Sequence, residues 1–250
     1  MAGFAGAPLS PTPLPQGERG LRKSLPQETT MTETTRPTIA VIGGTGALGS
    51  GLAGRWARAG YPVVVGSRSP EKAQAAAAEF GAKGASQAEA AAAADIVVLT
   101  VPYATHAGVI DEIRAHCAGK IVIDATVPLV PPKVGTVQLP AEGCAAVQAR
   151  AAFGEGVTVT SAFHNVSAHK LQGSAPIECD VLVFGDDKEA REVVLRLAEA
   201  AGLRGIHGGP LANSAAAEAL TSVLITINRL YKADGAGIRI VGKTADGSAL

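Results

Sequence analysis

The sequence predicts an α/β fold: a doubly wound parallel sheet with helices on both faces. Three observations carry the prediction. Short apolar runs alternate with helix-patterned segments from Thr38 onward. Those runs are apolar throughout rather than at every second residue, the signature of strands buried on both faces. The length, 250 residues, suits one α/β domain, or one domain and a small second lobe.

Thr38–Ile42 reads as the first strand, and Ala47–Ala59 as a helix ending near Gly60. Pro62–Gly66 is the second strand. Ser69 then caps a helix with Pro70 at its first position, places that suit both residues, and this helix runs to about Phe80. Ser86 caps a short Ala-rich helix, Gln87–Ala94. Asp95–Val101 is a strand, Tyr103–Cys117 a helix and Lys120–Ala125 a strand. Val130–Gly156, with Pro131, Pro132 and Pro140, reads as an irregular surface excursion. Strands follow at Val157–Ala162 and Asp180–Gly185. Asp187–Ala201 carries Val193, Val194, Leu197 and Ala201 at helical spacing. Leu203–Ile206 is a short strand, and Asn213–Tyr231 a long, mostly apolar helix.

Composition excludes several functions. Lys and Arg number 22 against 22 Asp and Glu, so the basic excess of a nucleic-acid binder is missing. Aromatics are only 4%, too few for base-stacking modules. The three cysteines, Cys117, Cys144 and Cys179, have no C-x-x-C spacing, which argues against a disulfide framework or a structural zinc and for reduced packing residues in the cytoplasm. No apolar stretch approaches the roughly 18 residues of a membrane span, and no signal-peptide pattern opens the chain. Residues 1–37 contain Pro8, Pro11, Pro13, Pro15, Pro26 and Pro37 among Gly, Ser, Thr and charge. They read as a disordered extension: either translation starts at Met31, or the segment is a flexible tail or targeting extension. Residues 242–250 read as a flexible tail.

The first strand runs into Gly43-Gly44-Thr45-Gly46-Ala47-Leu48-Gly49. This holds G-x-G-x-x-G between a strand and a helix, the context in which that motif binds a dinucleotide. Gly44 is expected to make the tight turn, Gly46 to let the backbone approach the pyrophosphate, and Gly49 to let helix and sheet pack closely. Free N–H groups at the helix N-terminus then meet the diphosphate charge. At the tip of the second strand, NAD enzymes carry a carboxylate for the ribose 2′-OH. Here Ser67 offers a hydroxyl, Arg68 a planar fork, and Lys72 a charge one turn inside the helix. That set suits a 2′-phosphate and predicts NADP. Glu71, at the second helical position, favours the helix dipole.

Further motifs appear in order: Asp95-Ile96-Val97-Val98-Leu99-Thr100-Val101-Pro102, Val127-Pro128-Leu129-Val130, Ala162-Phe163-His164-Asn165-Val166, Gly185-Asp186-Asp187 and Gly209-Pro210-Leu211-Ala212-Asn213-Ser214. Together with the glycine turn and Val65–Lys72, they resemble the coenzyme F420-dependent NADP oxidoreductases over about Thr38 to Val241. The resemblance implies a Rossmann domain (38–162), a smaller C-terminal domain for F420 and dimerisation (163–241), and a homodimer. It implies direct hydride transfer between nicotinamide and deazaflavin. It assigns NADP contacts to Thr45–Leu48, Ser67, Arg68 and Lys72, and the nicotinamide half to Val101, Val127 and Ala168. It places His164 on the deazaflavin side, with Asn165 and Pro128 beside it. Ser167 and Asn165 depart from residues frequent in that family, Pro and Thr.

Hydride transfer between two rings needs positioning more than acid–base groups, and no Ser/His/Asp set or metal cluster stands out. His164 serves either the deazaflavin edge or the end of a strand. His106, His116, His169 and His207 read as surface or locally bonded. Asn213-Ser214 reads first as a helix cap. Leu220, Val223, Leu224, Ile227 and Leu230 form a core or dimer face. Two rival functions remain on the same scaffold: an NADP-dependent imine or carbonyl reductase, and a non-catalytic NADPH sensor.

Overall fold

A computed structural model describes residues 36–248. The extension expected over residues 1–37, with its start at Met31, lies outside them except for its last two residues, and so do the last two residues of the tail.

The first strand, β1 (Ile39–Ile42), is buried at every position. Ile39 and Val41 point into one core, Ala40 and Ile42 into the other, which is why the run shows no polar alternation. It feeds α1 (Ala47–Arg58) and then β2 (Val63–Ser67). The next helix, α2 (Pro70–Ala78), starts as its sequence predicts: the Ser69 hydroxyl accepts the Lys72 amide at 3.3 Å, with Pro70 in the first turn. After it comes a strand the sequence did not announce, β3 (Lys83–Ser86). Its Lys-Gly-Ala-Ser has no apolar run because it is the edge of the sheet. Gly84 fits there only for want of a side chain, since a Cβ would stand 2.2 Å from the Gln74 amide. Ser86 and Glu89 close a reciprocal cap on α3 (Gln87–Ala93).

The strands β4 (Ile96–Leu99) and β5 (Ile121–Asp124) flank α4 (Tyr103–Ile113). The expected surface excursion is a loop only in part, because it contains α5 (Ala145–Phe153), which buries Ala145, Ala146, Ala149 and Phe153. Next come β6 (Thr158–Ser161), the five-residue α6 (Ala168–Gln172), β7 (Asp180–Gly185) and α7 (Lys188–Ala200). The chain continues into β8 (Arg204–Gly209), longer than the sequence suggested, and α8 (Ser214–Tyr231).

All eight strands join one sheet, in the order β3-β2-β1-β4-β5-β6-β7-β8. The pairs are parallel except β6–β7, which is antiparallel through Thr160–Gly185 and Ser161–Phe184. The fold is thus α/β and Rossmann-like with a mostly parallel sheet. A distinct, smaller C-terminal domain from residue 163 is not clearly set apart: β7 and β8 extend the same sheet, and Val181, Val183 and Val194 share a core with β1 and α1. One turn of chain direction after β6 lets the second half continue the first. No helix among the described residues is long and apolar enough to cross a membrane.

Candidate active site

Where β1 turns into α1, Gly43 has φ +82°, a conformation that favours glycine. A Cβ there would also stand 2.9 Å from the Thr100 carbonyl oxygen. The turn-making role expected of Gly44 therefore belongs to Gly43. Gly44 instead packs under the sheet, its missing Cβ only 2.8 Å from the Val41 carbonyl oxygen. Gly49 behaves as expected, since a Cβ would meet Thr100 Oγ1 at 2.5 Å and press helix away from strand. At Gly46 a Cβ would stand 3.3 Å from the Gly43 carbonyl oxygen. No side chain caps α1 and no acid sits in its first turn. Its first amides are left for an outside acceptor at the positive end of the helix dipole.

A cleft of about 700 Å³ opens above this turn. Thr45, Gly46, Ala47 and Leu48 form its floor at the helix start, and Ser67 and Arg68 line it at the tip of β2. Val101, Val127, His164 and Ala168 line the far half. The remaining expected residues stand off the wall. Gly44 and Gly49 act through packing. Lys72 is exposed on α2. Pro128 is buried between two residues that do line the cleft, Val127 and Leu129. Asn165 is buried and faces the other way, its Nδ2 donating to the Asp180 carbonyl at 2.9 Å. It ties the loop before α6 to β7 and does not line the cleft. Glu71 is turned from the β2 tip, taking the Ser69 hydroxyl at 2.7 Å, and that bond lowers its pKa.

His164 sits on a strained support. The preceding Phe163 has φ +70°, uncommon for a bulky residue and a cost borne at functional sites. Its fully buried ring packs edge-on against Trp56 at 5.8 Å between centroids. Both ring nitrogens of His164 are buried without a hydrogen-bond partner. Burial holds its pKa down to about 4 against the opposing pull of nearby Asp124, so the ring is neutral near pH 7. The His164 carbonyl accepts the Thr221 hydroxyl at 2.8 Å, which brings α8 to the cleft. Asn213, expected to cap α8, makes no side-chain cap; its Nδ2 donates to the Gly208 carbonyl at 2.9 Å.

Sequence reasoning missed the polar cluster behind this wall. His106, read as a surface or locally bonded residue, is buried with Nε2 2.8 Å from Asp124 Oδ2. Asp124 Oδ1 accepts the Thr126 amide at 2.9 Å, shaping the turn that aims Val127 into the cleft. Burial raises the Asp124 pKa, but the His106 bond and charge prevail and hold it low. The His106 pKa is raised, because Asp124 outweighs the effect of burial. Glu218 accepts the Ala145 and Ala146 amides at 2.7 and 3.2 Å and the Ser214 hydroxyl at 3.1 Å. Burial pushes its pKa up to about 7 despite these bonds. Sequence also missed that Leu129, Pro131 and Val134 of the β5–α5 loop line the cleft. Among the described residues no group of three or more His, Cys, Asp or Glu is placed to hold a metal.

A glycine turn beneath a bare helix start, a basic strand tip and this strand order define a dinucleotide-binding protein of Rossmann type. Comparisons narrow the class. The family described as "NADP oxidoreductase coenzyme F420-dependent" matches residues 38–128. The F420-dependent NADP reductase of Methanothermobacter thermautotrophicus is 41% identical over 217 residues, 81% of this chain and 94% of that protein. Its counterpart in Methanocaldococcus jannaschii is 37% identical over 218 residues, covering 81% and 97%. A solved structure, a putative F420-dependent NADP reductase from Arthrobacter sp. FB24, superposes with a TM-score of 0.69 at 25% identity, covering 82% of this chain and all of that one. This chain belongs to the F420-dependent NADP reductase family.

Proposed function

We propose that the chain transfers a hydride directly between NADP(H) and the deazaflavin F420 within the 700 Å³ cleft. The observation that carries the reading is one continuous cavity with the bare start of α1 at one end and a mostly apolar wall at the other. The residues fit both coenzymes. The bare start of α1 and Gly43 receive the diphosphate, and Ser67 and Arg68 the 2′-phosphate, with Lys72 adding charge from outside. Val101, Val127 and Ala168 hold the nicotinamide. Leu129, Pro131 and Val134 offer an aliphatic slot for a second flat ring, and His164 lines the same cleft.

The nicotinamide supplies a hydride from C4 and the deazaflavin takes it at C5 together with a proton from solvent. Atoms and charge then balance without a protein nucleophile. What the chain does is keep water from between the reacting carbons and hold the two rings near the roughly 3–3.5 Å that reaction requires. A carbonyl or imine reductase would need a proton donor beside its substrate. The Tyr103 hydroxyl at the cleft donates instead to Gln148 Oε1 at 3.0 Å.

The deciding experiment mixes purified protein with F420 and NADPH and follows loss of the deazaflavin absorbance. Turnover is expected; intact NADPH binding without turnover would overturn the reading. We also propose a homodimer through the outer face of α8, where Val223, Leu230 and Tyr231 are 44%, 71% and 77% exposed. Light scattering on the eluting protein tests it, and a monomer mass rejects it.

A further inference from the structure

Arg55 lies on the buried side of α1, and among the described residues its guanidinium bonds backbone carbonyls alone. The Nε donates to the Leu171 carbonyl at 2.9 Å. The Nη2 group serves the carbonyls of Lys170 (3.2 Å), Gly173 (2.8 Å) and Ala175 (2.9 Å). The Nη1 group donates to the Ala201 carbonyl at 2.9 Å. Four of these five acceptors belong to the last turn of α6 or the residues just after it. Those of Lys170, Leu171 and Gly173 are carbonyls that the end of α6 leaves without a partner in the helix, at the negative end of its dipole.

The α6 helix has five residues, too few to persist without outside support. It is also pressed onto α1: a Cβ on Gly51 would stand 2.6 Å from Leu171 Cβ. The two helices thus share one fastening. Their other ends both reach the cleft, α1 through Thr45–Leu48 and α6 through Ala168.

We propose that Arg55 is a positioning residue for hydride transfer. By gathering the end of α6 onto α1, it sets how far the Ala168 wall stands from the diphosphate floor, and so how closely the two reacting carbons meet. Only a planar fork with five N–H donors reaches so many carbonyls at once. This rests on the hydride-transfer reading above. A displacement of about 1 Å between reacting groups costs on the order of 100-fold in rate.

The test compares Arg55→Met, which keeps the stem, and Arg55→Lys with Val194→Ala, a core truncation on α7. Single-turnover rates are measured with NADPH and with NADPH doubly deuterated at C4, over a range of temperatures at which each protein is native by circular dichroism. Hydrogen exchange of residues 168–172 is followed in the ligand-free protein. Arg55→Met is expected to exchange faster over residues 168–172, to slow transfer on the order of 100-fold, and to make the isotope effect more temperature-dependent. Arg55→Lys falls between it and wild type. Val194→Ala lowers the melting temperature and leaves the isotope effect as it was. Should Arg55→Met not fold, Arg55→Lys carries the same three readouts. Wild-type transfer and isotope effect in the folded Arg55 variant would overturn the proposal. An inactive wild type would instead overturn the functional reading.

Discussion

His164→Leu removes a titrating ring at similar volume, and the structure fixes the sign and size of its effect on stability. Burial lowers the pKa of His164 from 6.5 to about 4. Between those values the unfolded chain holds a proton that the folded chain lacks. Folding stability from this group therefore rises with pH through that window, is complete above 6.5, and is lost toward pH 4. Two and a half units correspond to about 3 kcal/mol. In the wild type a second group hides it. Glu218 is raised from 4.5 to about 7, so its folded form holds the extra proton and stability falls, again by about 3 kcal/mol, as pH rises through that interval. The two slopes oppose each other over most of the same range. Urea unfolding of wild type and His164→Leu near pH 4 and near pH 7 separates them, because every other group cancels in the difference. The variant should gain about 3 kcal/mol relative to wild type on acidification. Equal pH slopes in the two proteins would refute the account of His164 as a neutral, unpaired ring.

Arg68→Ala should lower the preference for NADPH over NADH by about 10- to 100-fold in kcat/KM, the worth of charged hydrogen bonds to a phosphate; an unchanged ratio would place the 2′-phosphate elsewhere. His106→Leu leaves the Asp124 carboxylate buried without its partner, and urea unfolding at neutral pH should show a loss of about 3–5 kcal/mol. Gly49→Ala puts a Cβ 2.5 Å from Thr100 Oγ1. Calorimetry should show weaker NADPH binding, and unfolding a cost of about 1–3 kcal/mol from overpacking.

The strands and the glycine turn after β1 were legible because each leaves a local mark. An all-apolar β1, a capped α2 and a glycine turn can be read from a few neighbours. What stayed hidden depends on partners far along the chain. The edge strand β3 lacks an apolar run because only one side of it is paired. His106 gave no sign of burial, since its partner Asp124 is 18 residues away. Gly43 and Gly44 adjoin in sequence, and only their dihedrals tell which one makes the turn. The five-residue α6 has no periodicity to find, and the arginine that holds it is more than a hundred residues earlier. The continuation of the sheet past residue 163 was hidden for a related reason: a change of strand direction at β6–β7 leaves no compositional trace, yet it decides whether a sheet ends or continues.

That join bears on how the protein admits its substrates. A ladder of hydrogen bonds between Thr160–Ser161 and Phe184–Gly185 leaves no linker about which one half could swing against the other. Opening by rotation would have to tear the sheet. Adjustment falls to the segment between β5 and α5, held at the cleft by Thr226 on the Gly135 carbonyl at 3.0 Å. The radius of gyration in X-ray scattering should then stay constant as coenzymes are added. Saturating the protein should quiet backbone motion around Leu129 to Val134 without bringing distant parts of the chain closer.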